Sequence, residues 1–193
     1  HFHMSGLEIM RSAEVICSYI MKGFDMTKNC PIILCGFTSS GKTTIGKLLS
    51  ERLGLPFYDT DQMLIEHYQM TIPEIFAKGG ETLFRDYEHE IARRVCTLGP
   101  SVVSTGGGML TFDRNGEILA KNGMIFYIDR PFEDCYANLA QHPERPLFKN
   151  HTKKEVQDMY LIRRDLYRKY AKFDIKNTGT AGEAAEKIRD LLK

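Results

Sequence analysis

From Pro31 onward, short apolar runs alternate with amphipathic helical patterns. The first run, Ile32–Cys35, is continuously apolar, as expected of a strand buried on both faces of a parallel sheet. Further strands are predicted at residues 55–58, 102–103, 124–128 and 173–175. The clearest helical patterns are residues 81–98, 152–170 and 181–192, and a helix that ends at Gly54 and has the apolar face Ile45, Leu48, Leu49 and Leu53. Strands that alternate with helices predict right-handed crossovers, and therefore a three-layer α/β/α domain around a central five-stranded parallel sheet.

Residues 5–22 carry a looser amphipathic pattern that ends near Gly23, ahead of the first core strand. We therefore divide the chain into an N-terminal extension, residues 1–28, and one domain, residues 29–193. The opening residues His1 to His3, before Met4, resemble a tag remnant. The extension could pack on the domain, contact a second subunit or be disordered. We expect a monomer, with oligomerisation through the extension as the alternative.

Composition and charge narrow the classes of function. The chain has 26 Lys and Arg against 25 Asp and Glu, so its net charge of +1 offers no bulk attraction for nucleic acid or an anionic membrane. The five cysteines are scattered and form no C-x-x-C pair, which favours a reducing, cytoplasmic compartment over a disulfide framework or a zinc site. No apolar run reaches the length that spans a bilayer. We expect solvated surface positions for His67, His89, His142 and His151.

The strongest motif directly follows the first strand. Residues 36–43, Gly-Phe-Thr-Ser-Ser-Gly-Lys-Thr, match the pattern G-x-x-x-x-G-K-[ST]. Between a buried strand and a helix, successive backbone N–H groups can surround phosphates, and the helix dipole adds positive potential. Lys42 would reach the β- and γ-phosphates of ATP, and the Thr43 hydroxyl would ligate Mg²⁺. An ordinary Gly/Ser turn is the alternative, which the motif's context disfavours. The predicted nucleotide-binding residues are Gly36, Thr38, Ser39, Ser40, Gly41, Lys42, Thr43 and Thr44.

Two carboxylates one residue apart follow the second predicted strand, at the carboxyl edge where open α/β sheets bind ligands. Asp59 and Asp61 can divide the work, because one can hold Mg²⁺ while the other faces a substrate hydroxyl. The alternative is a helix N-cap followed by an acidic first-turn residue. The neighbouring phosphate-binding loop favours the catalytic interpretation.

Six motifs in register resemble the shikimate kinase family. They are residues 36–43, Asp59-Thr60-Asp61 followed by Ile65-Glu66, Phe84-Arg85-x-x-Glu88, Gly106-Gly107-Gly108, Arg145-Pro146-Leu147 and Arg163-x-x-Leu166-Tyr167. The resemblance covers residues 31–193. It implies ATP- and Mg²⁺-dependent phosphorylation of the shikimate 3-hydroxyl, a step of chorismate and aromatic amino-acid biosynthesis. It also implies a mobile substrate-binding helical segment and a lid.

The resemblance assigns three catalytic residues, Lys42, Asp61 and Arg145. Asp61 would bind the shikimate hydroxyls and act as, or near, the catalytic base, while Asp59 would support the Mg²⁺ site. Arg145 lies in the polar stretch of residues 141–148 and would close as a lid over the γ-phosphate. Closure would neutralise charge on the transferring group and exclude water.

The remaining family roles concern the acceptor. Arg85 and Arg163 would bind the substrate carboxylate, for which the planar guanidinium fork is the matching group. The main chain of Gly106, Gly107 and Gly108 would line the shikimate pocket, since glycine lets a backbone approach a ligand closely. Alone, Arg85 would suit a solvated helix face and the glycines a plain turn.

The sequence departs from the usual family pattern in three places. Ser39 occupies a loop position that is often a third glycine, and Asn138 stands where an arginine usually stacks on adenine. The late nucleotide-contacting loop would fall near residues 177–180, without its usual basic residue.

Two other functions compete with shikimate phosphorylation. One is another small-molecule kinase of the same architecture, such as a gluconate or nucleoside monophosphate kinase. The other is a module that holds nucleotide without turnover. The Asp59 and Asp61 pair with Gly106 to Gly108 favours shikimate, and intact Lys42 and Thr43 argue against a non-catalytic module.

Overall fold

The computed structural model describes residues 30–141 and 150–193, and its elements alternate between strand and helix. The strands are β1 (Ile32–Cys35), β2 (Phe57–Asp59), β3 (Val102–Ser104), β4 (Met124–Asp129) and β5 (Phe173–Lys176). The helices of these ranges are α1 (Lys42–Leu53), α2 (Thr60–Tyr68), α3 (Ile72–Val95), α4 (Asp113–Asn122), α5 (Phe132–Ala140), α6 (Lys153–Tyr170) and α7 (Ala181–Leu191). A 3₁₀ turn, Met109–Thr111, precedes α4. None of these helices combines the length and apolar character that crossing a bilayer requires.

The five strands form one parallel sheet in the order β2-β3-β1-β4-β5. The central strand is β1, in which Ile32 lies opposite Val102 of β3 and Met124 of β4. Because all strands run the same way, their carboxyl ends meet at one edge of the sheet. The predicted fold class, a three-layer domain with a five-stranded parallel sheet, is confirmed.

Both faces of the sheet are covered, so alternate residues of β1 belong to different apolar clusters. Ile33 and Cys35 pack with side chains of α3, α5 and α6, and Ile32 and Leu34 pack with side chains of α1 and α7. All four are fully buried. Burying each large aliphatic side chain stabilises the fold by about 1.5–3 kcal/mol, which makes the two-sided core the main support of the sheet edge.

Three helices begin with a threonine N-cap and a glutamate three residues later, each of which satisfies the other's backbone N–H. These capping boxes are Thr71 with Glu74, Thr152 with Glu155 and Thr180 with Glu183. The capping boxes at Thr152 and Thr180 start α6 and α7 close to the predicted positions, residues 152 and 181. Gly54, in the left-handed conformation with φ 64°, caps α1 as expected.

Helix α3 is longer than the prediction of residues 81–98. It begins at Ile72, passes through a kink at Gly80, where φ is 66° and ψ is −160°, and ends at Val95. Only the segment after the kink carries Arg85. The helix predicted at residues 5–22 and the predicted lid, apart from Gln141 and including Arg145, lie outside the described residues.

The expectation of a solvated surface position is wrong for His89. It is half-buried, with Nδ1 2.7 Å from Oδ1 of Asn115, and the Asn115 amide donates to the carbonyl of Met109 at 3.0 Å. These bonds join α3 to the 3₁₀ turn and the start of α4. His67 and His151 are exposed as predicted, and His142 lies outside the described residues.

Candidate active site

The loop after β1 has the backbone shape of a phosphate cradle. Gly36 has φ 151° and Gly41 has φ 96°, values that side-chain-bearing residues rarely adopt. A Cβ at Gly36 would also lie 2.8 Å from the carbonyl oxygen of Ile128 in β4. Helix α1 starts at Lys42, directly after the second glycine. Its unpaired N–H groups and dipole therefore point into the loop, which suits an anion.

Lys42 lies buried beneath this loop. Its Nζ donates to the carbonyls of Gly36 and Phe37, each at 2.8 Å. Burial lowers the pKa of Lys42, while the nearby Asp61 and Asp59 carboxylates favour its charged form. Because burial outweighs these favourable contacts, a bound anion would stabilise the charged ammonium further, which suits a phosphate-binding lysine.

Two features of the loop were not foreseen. Ser39, at the position where a third glycine is common, has φ 64°, so a non-glycine residue here adopts the left-handed conformation. Asn177, buried in the loop after β5, donates from Nδ2 to the carbonyl of Ser40 at 2.9 Å. This bond satisfies a buried carbonyl and holds the loop from the neighbouring edge of the sheet.

Three oxygen-bearing side chains meet at the first turn of α1. The Thr43 hydroxyl donates to Oδ2 of Asp59 at 3.1 Å and lies 3.4 Å from Oγ of Ser104, at the end of β3. The other Asp59 oxygen accepts from the backbone N–H of Asp61 at 3.1 Å and caps α2. Asp59 therefore fits both sequence interpretations at once, as an N-cap and as a partner of Thr43.

This donor set fits Mg²⁺ bound together with a nucleotide. Magnesium in phosphoryl-transfer sites takes one or two protein oxygens and completes its octahedron with water and phosphate. Thr43 and Asp59 supply such oxygens beside the phosphate cradle. A cluster of three or more His, Cys, Asp or Glu ligands, which a metal held by protein alone would need, is absent from residues 30–141 and 150–193.

Asp61 lies in the first turn of α2, beside Gly106 and near the charges of both Lys42 and Arg85. Burial and the Asp59 carboxylate raise the pKa of Asp61, and the charges of Lys42 and Arg85 partly oppose this rise. A carboxylate that binds protons more strongly than in water is suited to general-base chemistry.

The three glycines after β3 form the junction of the site. A Cβ at Gly106 would lie 2.5 Å from Oδ1 of Asp61, and one at Gly108 would lie 2.5 Å from Nη1 of Arg85. A Cβ at Gly107 would lie 3.1 Å from Oγ1 of Thr38 in the phosphate loop. Each glycine therefore leaves room for one predicted site residue.

Arg85 projects from the second segment of α3 and is held firmly. It donates to Oε2 of Glu88 at 2.8 Å and to Oε1 of Glu81 at 3.1 and 3.2 Å. Its guanidinium carbon lies 5.1 Å from the ring centre of Phe84 and 4.9 Å from that of Phe112. Glu88 is buried, and burial raises its pKa while Arg85 lowers it. Glu88 stands in the sequence motif, but only the structure shows that it orients Arg85.

Arg163 reaches the same region from α6. Its guanidinium lies 5.9 Å from the ring centre of Phe37 in the phosphate loop, and its charge also lowers the pKa of Glu88. The Tyr167 hydroxyl, one helical turn later, donates to the carbonyl of Gly107. The two predicted carboxylate-binding arginines therefore come from different helices, and the charges of both act on Glu88.

A cavity of about 380 Å³ opens beside the phosphate loop. Its lining residues come from two parts of the chain: Ser39 and residues 41–44 belong to the loop and α1, and Arg130, Asn138 and Gln141 follow β4. The predicted nucleotide-binding residue Thr44 thus faces this space. Arg130, the residue after β4, was not predicted, because the sequence does not show which strand neighbours β1.

The structure thus brings the described predicted residues to the carboxyl edge of the sheet. Arg145 is the exception, because it lies outside the described residues. The sequence reasoning missed Glu88, Ser104, Arg130 and Asn177. Glu88 had a signal in its spacing of three residues from Arg85 on a helix, and Asn177 belongs to the residues 177–180 that the resemblance placed near the nucleotide.

Comparison with known proteins independently shows which family this chain resembles. The profile of the shikimate kinase family matches residues 38–193. A shikimate kinase of Caldicellulosiruptor bescii is 40% identical over 158 residues, which are 81% of this chain and 92% of that protein. A shikimate kinase of Staphylococcus aureus is 36% identical over 146 residues, 75% of this chain and 83% of that protein.

Solved structures of the same family are also similar. The shikimate kinase of Acinetobacter baumannii in complex with shikimate has a TM-score of 0.80 and 34% identity, covering 85% of this chain and 93% of that one. The shikimate kinase of Aquifex aeolicus has a TM-score of 0.73 and 34% identity, covering 84% of this chain and 95% of that one. By fold, site motifs and relatives, the chain belongs to the shikimate kinase family.

Proposed function

We propose that this chain transfers the γ-phosphoryl group of ATP to the 3-hydroxyl of shikimate, with Mg²⁺ as cofactor. The observation that carries the proposal is the position of Asp61. Its carboxylate is in contact distance of the glycine turn and under the influence of both Lys42 and Arg85. A proton acceptor therefore lies between a phosphate cradle and a carboxylate-binding arginine, as this reaction requires.

The phosphate side of the site holds and neutralises the donor. The backbone N–H groups of the loop and α1 bind phosphate oxygens, and the buried Lys42 ammonium adds a positive charge. Thr43 and Asp59 would hold Mg²⁺, which when bound neutralises charge on the β- and γ-phosphates. Phosphoryl transfer demands positioning and charge stabilisation more than covalent chemistry, and these groups supply both.

The acceptor side recognises a carboxylate. Arg85 and Arg163 approach from α3 and α6, and Glu88 fixes the orientation of Arg85. Since Arg85 is already paired with Glu81 and Glu88, substrate binding exchanges part of this pairing for the shikimate carboxylate. The solved Acinetobacter baumannii relative binds shikimate, which supports the same acceptor here.

Asp61 would accept the proton of the attacking hydroxyl as the new oxygen–phosphorus bond forms and the bond to the ADP leaving oxygen breaks. Its raised pKa keeps it basic enough for this role. Arg145, outside the described residues, would add positive charge at the γ-phosphate. This role stays a prediction that rests on the family motif.

We also propose that residues 29–193 are the catalytic unit and that it works as a cytoplasmic monomer, with residues 1–28 dispensable for turnover. The buried thiols of Cys35 and Cys135, which form no disulfide, suit a reducing compartment. Deleting residues 1–28 should leave turnover unchanged, and light scattering should give a monomer before and after the deletion. A change from oligomer to monomer on deletion would instead assign the extension to assembly.

The function is tested by ADP release with MgATP and, in parallel, shikimate, gluconate, CMP and AMP. Release that depends on shikimate supports the proposal. A response to another acceptor would keep the kinase chemistry and overturn the assignment of Arg85 and Arg163. No release with any acceptor, despite nucleotide binding, would indicate a non-catalytic module.

A further inference from the structure

Arg130 faces the phosphate-binding loop because of the strand order. Strand β4 pairs directly with β1, with Tyr127 opposite Cys35, and ends at Asp129. The next residue, Arg130, therefore emerges beside the loop that follows β1. It lines the same cavity as residues 41–44.

The backbone at Arg130 is fixed. Its carbonyl accepts a hydrogen bond from the Tyr160 hydroxyl at 2.9 Å, and Pro131 restricts it to an extended conformation. Helix α5 starts at Phe132. The guanidinium is thus carried on a rigid strand end rather than on a loose loop, which suits a residue that must position a ligand.

The Arg130 side chain retains an unused donor. Its Nε is shielded from solvent and has no hydrogen-bond partner. The Oδ2 atom of Asp134 lies 3.9 Å from it, beyond hydrogen-bond distance. A shielded guanidinium N–H without an acceptor is unfavourable, so the side chain gains if the guanidinium turns toward a ligand oxygen in the cavity that Arg130 lines.

The charges of the lining residues favour a phosphate as that ligand. Asn138 and Gln141, which line the cavity together with Arg130 from the chain after β4, are neutral amides. The start of α1 offers backbone N–H groups and the hydroxyls of Thr43 and Thr44 to the same cavity. A polyphosphate chain held by the loop would therefore share this cavity with the Arg130 guanidinium.

We infer that Arg130 is a ligand for the phosphate chain of the nucleotide, and that it clamps this chain against the α1 N-terminus. The inference rests on the proposed function, since it takes ATP as the nucleotide. We assign Arg130 to the phosphates and not to the nucleobase, because an N–H donor without a partner needs a hydrogen-bond acceptor rather than a stacking surface.

The test measures binding of MgADP and of Mg-tripolyphosphate by calorimetry to the full chain and to Arg130→Gln. Loss of one charge-assisted hydrogen bond predicts about ten- to a hundredfold weaker binding of both ligands in the variant. Shikimate binding without nucleotide should not change. Arg130→Lys keeps a point charge but not the guanidinium fork, so its affinities should lie between those of wild type and Arg130→Gln. It replaces Arg130→Gln in the test if the glutamine variant does not fold.

Two control variants exclude a purely structural role. Arg94→Gln removes the same charge from an exposed site paired with Glu90, and should leave both affinities unchanged. Asp134→Asn removes the nearby carboxylate, and should leave phosphate binding equal or stronger. If Arg130 served only to pair with Asp134, both Arg130→Gln and Asp134→Asn would lower the melting temperature alike, without changing either affinity.

The outcomes separate the two proposals. Wild-type protein that binds no MgADP would refute the proposed function. Nucleotide binding that Arg130→Gln leaves unchanged would refute the role of Arg130 alone. Weaker MgADP binding with unchanged tripolyphosphate binding would also overturn the inference, because it would place the guanidinium on the nucleoside.

Discussion

Replacing Asp61 with asparagine should remove activity and raise stability at the same time. Burial and the neighbouring Asp59 carboxylate raise the pKa of Asp61, although Lys42 and Arg85 partly compensate. The ionised form is therefore less favourable in the folded protein than in water. Asparagine has nearly the same shape as aspartate and no charge. Asp61→Asn therefore removes this unfavourable ionisation without enlarging the side chain that lies against Gly106.

Two magnitudes follow. Loss of a general base lowers turnover by about 10²- to 10⁴-fold. Relief of one unfavourable site charge is worth about 0.5–2 kcal/mol in the free energy of unfolding. For a domain of this size, each kcal/mol raises the melting temperature by roughly 2–4 °C. The assays are shikimate-dependent ADP release and thermal unfolding followed by circular dichroism, since the chain contains no tryptophan.

The pH dependence checks the sign of the stability effect. With a pKa raised above its unfolded value of about 3.9, folded Asp61 binds protons more strongly than unfolded Asp61. Wild type and Asp61→Asn should therefore be closest in stability below that unfolded pKa. As the pH rises through the folded pKa, wild type should lose stability relative to the variant.

Asp165→Asn is the matched control, since its carboxylate is exposed and pairs only loosely with Arg164 at 3.5 Å. It should change neither turnover nor melting temperature appreciably. Near-normal turnover in Asp61→Asn would refute the catalytic assignment. A lower melting temperature at neutral pH would refute the electrostatic reasoning instead, and would mean that the favourable pairing with Lys42 and Arg85 outweighs burial.

Three further predictions concern other residues of the site. Arg163→Lys should weaken shikimate binding by about tenfold and ATP binding much less, because a point charge cannot replace the guanidinium fork. Gly108→Ala places a Cβ 2.5 Å from Nη1 of Arg85, so the KM for shikimate should rise while ADP affinity is kept. Asn177→Ala strands the buried Ser40 carbonyl, which should lower stability by about 1–3 kcal/mol and weaken ADP binding.

Each of these has a control. For Arg163→Lys, unchanged apparent shikimate affinity would refute the carboxylate role. Gly99→Ala is the control for Gly108→Ala, since no atom lies within 4 Å of its added Cβ. Asn122→Ala removes an exposed amide that donates to Ile118, and should have little effect. Equal stability losses in Asn122→Ala and Asn177→Ala would show that burial of the Ser40 bond carries no special weight.

The sequence predicted the elements whose signals are local. A continuous apolar run and a Gly-Lys-Thr turn identify β1 and α1, and threonine–glutamate pairs mark helix starts. Signals weaken at the sheet edge, where the residues of β2 are only half-buried and the strand begins at Phe57 rather than residue 55. The first segment of α3 was missed because Gly79 and Gly80 resemble a helix breaker, whereas the helix continues through a kink.

The site was predictable where family motifs carry it, and unpredictable where it depends on strand order. Periodicity shows that a strand exists but not which strand lies beside it. The pairing of β4 with β1 places Arg130 at the phosphate loop, and the pairing of β5 with β4 brings Asn177 under the same loop. Both residues are far in sequence from the phosphate loop, and no local sequence pattern indicates that they lie beside it.

The glycine turn shows how the site is coupled across the sheet. The sequence explained its three glycines by the close approach of a ligand, yet in the structure each one makes room for a side chain of the site. Gly106 borders Asp61, the proposed base; Gly107 borders Thr38 of the phosphate loop; and Gly108 borders Arg85, which we propose binds the acceptor. One short segment after β3 therefore lies against the phosphate loop, the proposed base and the arginine proposed to bind the acceptor. Because phosphoryl transfer depends chiefly on positioning, we propose that the spacing of these three glycines is a catalytic requirement as much as a conformational one.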